Sequence, residues 1–342
     1  MKVDHDIPIE PGKTFVVDRL RPEDAKGVAH LFFAEYGPGY PIETYYIPER
    51  IVEENRNGNI YSVVARTPEG DIVGHGALYR SSPYHRNHYE IGQYIVHREY
   101  RTTFAAFKIN EYIGGKLVQT VRPDGVFGEA VCHHVITQKS SYLIGMKDMA
   151  MEIDLMPAKA YEKAGNASGR VSCLILYLPF GDGPQEVFVP PAYRREIEFI
   201  VTGANLDRKL SFTPAGIPED SKSDIQVKFF GYAGVGRFNV IAAGADFPDR
   251  VDQLEREGRQ DGIVIFQYFL SLANPWIGRA VEHLREKGYF LGGYVPRWFD
   301  ADGMLMQKLL VEPDFASIRL HSKQAKEILS FVRADWERTQ KR

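Results

Sequence analysis

The chain has 342 residues, 44% apolar and 25% charged, with 42 Lys and Arg against 45 Asp and Glu for a net charge of −3. That balance excludes wholesale disorder and the basic excess of a nucleic-acid footprint, and at ~150 residues per domain it implies about two domains. Two cysteines, Cys132 and Cys173, are too few for a disulfide scaffold or a zinc ribbon, and no apolar run reaches the ~20 residues that span a bilayer. The polar, acidic start Met1–Asp6 lacks a signal-peptide pattern. The expectation is a cytoplasmic protein with two reduced, buried thiols and neither a membrane nor a nucleic-acid partner.

Residues 1–12 read as a loose tail ending at Pro11-Gly12. Residues 14–18 read as a strand, and Pro22, Glu23 and Asp24 open a helix carrying Val28, Leu31 and Phe32 at helical spacing. An aromatic loop follows (Tyr36, Tyr40-Pro41, Tyr45, Tyr46), then a short helix from Pro48 to the stop pair Asn57-Gly58. Residues 60–66 and 71–80 pair as a hairpin across Thr67-Pro68-Glu69-Gly70, and 89–96 is a further strand. Residues 102–120 read as a helix with Ala105, Ile109, Tyr112, Ile113 and Leu117 on one face. A strand at 125–133, a short helix at 137–144 ending on Gly145, and strands at 149–155 and 171–178 around a polar loop at 159–169 complete a mixed sheet, so the fold class is α/β or α+β.

A second part starts near Gly181. It reads as a helix from Pro190-Pro191 to about residue 206, a Pro, Ser and Gly-rich loop at 211–223, and a hairpin of 225–231 with 237–243. Helices at 247–257, 274–287 and 321–337 alternate with strands at 262–272, 289–295 and 304–311. Gly231-Tyr232-Ala233-Gly234-Val235-Gly236 is followed by a strand pattern, so it reads as a hairpin turn and not as a nucleotide loop. Leu143-Ile144-Gly145-Met146 and Glu286-Lys287-Gly288-Tyr289 each close a helix before strands, a faint echo that fits two related units.

The stretch from Glu90 to Ala106 is the richest in chemistry. A strand feeds a short turn that opens a helix, which aims free backbone N–H groups and the positive dipole end at one spot suited to phosphate, with Arg101 placed to reinforce it. His85-x-x-His88-x-Glu90 and Cys132-His133-His134 carry metal-capable side chains without a recognised ligand spacing, so no metal is expected.

Several phrases resemble the GNAT superfamily of acyl-CoA N-acyltransferases. Val17-Asp18-Arg19-Leu20-Arg21-Pro22-Glu23-Asp24-Ala25 is similar to its first strand and helix, and Val96-His97-Arg98-Glu99-Tyr100-Arg101 to its acyl-CoA motif. Gln138-Lys139 to Gly145-Met146 resembles a later segment of the family, and the loop at 40–46 followed by Pro48-Glu49-Arg50 resembles two-part bacterial members. The resemblance covers residues 14–180, and the second half looks like a shortened unit of the same kind. It implies tandem GNAT-like domains at 12–182 and 183–342, each a mixed, mostly antiparallel sheet flanked by helices. It also implies transfer of an acyl group, acetyl in the first instance, from acyl-CoA to a small-molecule or peptide amine by direct attack in a ternary complex.

Carried over by position, the resemblance puts the acyl carbonyl at the backbone N–H groups of Tyr94, Ile95 and Val96. It puts the pyrophosphate at Arg101, Thr102, Thr103, Phe104, Ala105 and Ala106. Glu90 takes the place of the base with Glu129 in reserve, and Tyr142 is the nearest phenol to the family's acid, whose own position is Ser141. Tyr40, Tyr45 and Tyr46 border the acceptor, though packing of the loop accounts for at least half of these tyrosines. The family's glycines fall at Thr102, Phe104 and Ala106, so the Phe104 ring must turn into the core or fill the pyrophosphate site. Two other readings stand beside the enzyme. One is a catalytically reduced GNAT-like binding or sensor protein. The other is an aminoacyl-tRNA-dependent transferase, which the net charge opposes.

Overall fold

The computed structural model describes residues 9–40, 42–81, 87–158, 169–212 and 215–341. The tail up to residue 8, Pro41, His85 and the loop at 159–168 lie outside the described residues. The chain forms two compact units; of the described residues, those up to 81, 87–128 and 143–145 make the first, and 129–142, 146–158, 169–212 and 215–341 the second.

The first unit begins with β1 (Val16–Arg19) and α1 (Ala25–Tyr36). Asp24 accepts the Arg21 amide at 2.6 Å just before α1 and the Arg66 Nε at 2.6 Å, so one buried carboxylate both starts the helix and ties it to the sheet. α2 (Pro48–Arg56), β2 (Ile60–Arg66), β3 (Ile72–Tyr79) and β4 (His88–Val96) follow. After β4 come α3 (Ala105–Tyr112), a π-helical turn at Ile113–Leu117, α4 (Val118–Val121) and β5 (Gly125–Val131), whose first four residues belong to this unit. The strands lie in the order β1-β2-β3-β4-β5, antiparallel except for β4 and β5.

Alternation along the strands gives the two faces. Ile60, Val64 and Ala77 pack with Val28, Leu31 and Phe32 of α1 and with Tyr45. On the other face Gly74 and Gly76 lie under Ile109 of α3: a Cβ at 76 would meet Ile109 Cγ2 at 2.7 Å, so the helix can pass only over glycine.

One irregularity shapes β4. His75 faces Ile95 and Ala77 faces Gly92, so Gly76 stands opposite both Gln93 and Tyr94, which is a β-bulge. Gln93 adopts φ +57°, a left-handed conformation that costs a non-glycine residue roughly 1 kcal/mol. Two groups hold it there. The Tyr45 hydroxyl donates to Gln93 Oε1, and His75 Nδ1 lies 3.0 Å from the Gln93 carbonyl oxygen. A carbonyl only accepts, so Nδ1 carries the proton and Nε2 accepts from Ser62 Oγ at 3.1 Å. Burial, partly offset by the Gln93 carbonyl, pushes His75 down to about 4.

The second unit contains α5 (Ile136–Leu143, all but its last residue), β6 (Lys147–Pro157), β7 (Arg170–Pro179), β8 (Gln185–Phe188), α6 (Arg194–Gly203), β9 (Arg208–Ser211), β10 (Asp224–Phe230) and β11 (Val235–Ala242). It continues through α7 (Phe247–Gln260), β12 (Ile265–Ser271), α8 (Ile277–Glu286), β13 (Phe290–Val295), β14 (Gly303–Leu309) and α9 (Lys323–Thr339). The main strands run β7-β6-β13-β14-β12-β11-β10, and β8 pairs with β9 separately. β11 and β12 are parallel with α7 between them, as β4 and β5 are with α3 between them. The division into units falls at Gly128 and Glu129, whereas the sequence reading places a break near 182; the β6–β7 hairpin packs with later residues because β13 pairs with β6 at Gly293 and Ala150. The fold is thus mixed α and β, with mostly antiparallel sheets and flanking helices. No described helix is long and apolar enough to cross a membrane.

A buried ion cluster secures the second unit. Arg208, its side chain 1% exposed, donates to Asp182 and Asp302; Arg297 Nε donates to Asp182 at 2.8 Å; and the Tyr294 hydroxyl and Arg297 amide both donate to Asp302. Asp302→Asn keeps the shape and leaves Arg208 short of one counter-charge. It is expected to cost about 3 kcal/mol, read as a lowered urea midpoint of the second unit's transition. The first unit answers to pH through His75. The unfolded imidazole protonates near its ordinary value of about 6.5 while the folded one stays neutral down to about 4, so stability falls as pH drops between these values. Urea titrations of the wild type are expected to lose roughly 3 kcal/mol across that window, and His75→Gln to flatten the slope.

Candidate active site

The site is built at the point where β4 leaves β5. The parallel ladder joins His88, Tyr89 and Glu90 to Gly125, Val126 and Phe127, and β4 then runs on to Val96 without a β5 partner. The bulge at Gln93 lies in this unpaired stretch. Glu90, 9% exposed, is the last residue of the ladder, and its Oε1 accepts from the Tyr79 hydroxyl.

The turn after β4 departs from its sequence reading in detail. The expected helix at 102–120 starts at Ala105, because the Thr103 hydroxyl donates to the Tyr100 carbonyl at 2.6 Å and accepts the Ala105 amide at 3.2 Å. Arg101 pairs with Glu35 of α1 and donates Nε to the Val96 carbonyl at 3.3 Å, so its charge is spent on α1 and not offered to an anion. Among the described residues, no hydrogen-bond acceptor takes the amides of Phe104, Ala106 and Phe107. The Phe104 ring is 74% exposed, so it does not turn into the core. Thr102 and Ala106 are exposed and Ala105 is buried. Within β4, Ile95 is buried and the Tyr94 hydroxyl donates to Asn110 Oδ1 at 2.8 Å.

The aromatic loop is mostly packing. Tyr45 is wholly buried and stacks on Phe32 at 4.2 Å. The Tyr46 hydroxyl donates to the Gly37 carbonyl at 2.7 Å and accepts the Tyr40 amide at 2.8 Å, which closes the loop on itself. Tyr40 is half-buried against Phe32 and Tyr36.

The reserve base and the nearest phenol belong to the second unit, and both are engaged there. Glu129 pairs with Arg237 at 3.4 Å, beside the fully buried Glu152. The Tyr142 hydroxyl donates to Asp148 Oδ1 at 2.6 Å, and burial with that carboxylate raises its pKa; Ser322 donates to the same carboxylate. Ser141 bonds back to the Thr137 carbonyl at 3.0 Å. Among the described residues, no group of His, Cys, Asp and Glu is arranged to hold a metal ion. Sequence reasoning missed His75 and Tyr79. The signal for His75 was Gly74-His75-Gly76, a lone imidazole between two residues without side chains in an apolar strand.

The corresponding place in the second unit is closed. β11 and β12 stay paired from Val235 and Ile265 to Val240 and Leu270. Residues 221–223 lie across the turn before α7: Ala245 donates to the Ser221 carbonyl at 3.0 Å, Gly244 to Ser223 Oγ at 3.0 Å, and Ser223 to Asp246 Oδ1 at 2.7 Å. A Cβ at Gly244 would meet the Ser221 oxygen at 2.1 Å. Asp246 and Asp249 add negative charge where a phosphate would need positive.

No model of a protein family matches the chain, and no curated protein matches it. Among solved structures, the chain is similar to ribosomal-protein-S5-alanine acetyltransferase from Vibrio fischeri, with a TM-score of 0.39 at 13% identity over 52% of this chain and 98% of that one. It is similar to a putative acetyltransferase from Acinetobacter baylyi, with a TM-score of 0.40 at 14% identity over 52% and 99%. It is also similar to spermidine N-acetyltransferase from Vibrio cholerae in complex with CoA and spermine, with a TM-score of 0.38 at 10% identity over 49% and 97%. The strand order of the first unit, its parallel pair and the helix between the two strands agree with the mixed, mostly antiparallel sheet that the resemblance at residues 14–180 implies.

Proposed function

We propose that the chain is an acyl-CoA N-acyltransferase whose donor site lies in the first unit. The observation that carries this reading is the parting of β4 from β5 immediately after a buried carboxylate, with open amides at the start of α3. These residues fit an anionic donor: the amides of Phe104, Ala106 and Phe107 take the pyrophosphate at a helix N-terminus. The edge of β4 away from β3, at Tyr94 and Val96, donates to the thioester carbonyl oxygen as charge develops there, whereas the Ile95 amide faces His75 of β3. The amine attacks the carbonyl carbon, Glu90 accepts the amine proton, and the C–S bond breaks to release CoA. Holding donor and acceptor together supplies much of the rate.

We take acetyl-CoA as the donor and a small polyamine or a protein amine as the acceptor, the acceptors that the names of the spermidine and ribosomal-protein-S5-alanine acetyltransferases carry. We read residues 12–182 and 183–342 as the two domains by descent, the second shortened and supporting the first. Two buried, unbridged cysteines accord with a cytoplasmic place. A second reading, a binding or sensor protein, draws on the pairing of Arg101 with Glu35 and on the tie of Tyr142 to Asp148, which leave the turn without an arginine and the thiolate without the expected phenol.

Calorimetry with acetyl-CoA and thiol release with spermidine or an alanine-initiated peptide test the two readings. The enzyme binds one acetyl-CoA per chain and releases thiol, whereas the sensor binds without release. Glu90→Gln is expected to lower kcat about a hundredfold with acetyl-CoA affinity unchanged, and full activity would remove Glu90 from the reaction. Phe104→Gly lets the phosphates approach the backbone and is expected to tighten acetyl-CoA severalfold in the same titration.

A further inference from the structure

Glu90 is held by a side chain that no motif marks. Tyr79 ends β3 and is the direct cross-strand partner of Glu90, so both side chains leave the sheet on the same face. The Tyr79 hydroxyl donates to Glu90 Oε1. Its ring lies over Gly92, two residues further along β4, where a Cβ would meet Tyr79 Oη at 3.2 Å and Cε1 at 3.3 Å. Glycine at 92 therefore gives the ring the room it needs to reach the carboxylate. Tyr45, bonded to Gln93, lies close enough to feel the Glu90 charge. The carboxylate thus stands at the fork of β4 and β5 with one oxygen fixed by a phenol from the neighbouring strand.

A buried base must be charged before it takes a proton and must release that proton afterwards. Burial works against the charged form, and a donor to that form works for it. A phenol suits both states: it donates to the carboxylate and accepts from the carboxylic acid, with no change of position.

We propose that Tyr79 is a positioning residue for the reaction, fixing the Glu90 carboxylate at the fork and sustaining its charged form. This rests on the acyl-transfer reading of the same site. In the step concerned, the amine nitrogen bonds to the thioester carbon, the C–S electron pair leaves on the CoA sulfur, and the N–H proton passes to Glu90. Tyr79 keeps its own proton throughout.

The test uses the full chain as wild type, Tyr79→Phe and Glu90→Gln. The first readout needs no turnover. Glutamate labelled with ¹³C at the carboxyl is titrated by NMR, and the Glu90 signal is identified by its loss in Glu90→Gln. Removing the donor is expected to raise the Glu90 midpoint by about one pH unit. The second readout is thiol release from acetyl-CoA with spermidine. For Tyr79→Phe, kcat falls about tenfold, KM for acetyl-CoA holds within about twofold, and the acid limb of kcat moves up with the carboxyl midpoint.

An unmoved carboxyl midpoint overturns the Tyr79–Glu90 pairing. A moved midpoint with unchanged kcat and acid limb overturns the positioning role. Absence of thiol release from the wild type with spermidine and with an alanine-initiated peptide overturns the acyl-transfer reading and with it the catalytic role, while the carboxyl titration still decides the pairing. Should Tyr79→Phe fail to fold, 3-fluorotyrosine placed at position 79 keeps the shape and donates more strongly; the midpoint then moves down, and no movement overturns the pairing.

Discussion

The hydrogen bond from His75 Nδ1 to the Gln93 carbonyl is the contact on which the first unit's architecture turns. Together with the Tyr45 hydroxyl it holds Gln93 in a left-handed conformation, and the bulge that results lies in the stretch of β4 that follows the end of the β5 ladder at Glu90. The imidazole can serve because it is neutral: burial keeps the proton off one nitrogen, which leaves that nitrogen to accept from Ser62 while the other donates. Asn55 fixes Ser62 in turn, donating to its hydroxyl at 3.2 Å and accepting its amide at 2.7 Å. A polar chain thus runs from α2 through two strands to the bulge, with each donor and acceptor assigned by its partner.

The second unit shows what the same strand plan does when no bulge interrupts it. β11 and β12 keep their ladder over six register pairs, and their outward groups pair with β10 and β14. The following turn is likewise satisfied from within, by the serines that lie across it. What has gone from this unit is the unsatisfied backbone, not the elements. That is a clear physical difference between a strand–turn–helix whose backbone is satisfied from within and one that starts with open amides.

Much of the fold was legible because side-chain periodicity carries it. The hairpin of 60–66 with 71–80 appears as 60–66 with 72–79, and the hairpin around Gly234 as 224–230 with 235–242. β8 and β9 escaped notice: each has four residues, and they pair in parallel across an intervening helix, so no local pattern marks them. The site was legible as a place and less so as a set of residues. Glu90 and the strand–turn–helix at 96–106 follow from motif position. Spacing cannot say that Arg101 prefers Glu35, that Thr103 spends its hydroxyl on the helix start, or that Tyr142 is tied to Asp148, because each choice is made by a partner distant in sequence or by a turn's three-dimensional course. His75 and Tyr79 were hidden for the same reason, since their worth lies in what stands opposite them on the next strand.

The serines lying across the turn before α7 have a thermodynamic meaning. On the proposed reading, the described residues hold one open donor cleft and no second site of the same kind to couple to it, and cooperativity between like ligands requires at least two. Equilibrium binding of the donor to one chain is then hyperbolic. A sigmoidal binding curve would report association between chains, and its Hill coefficient would set a lower bound on how many had come together.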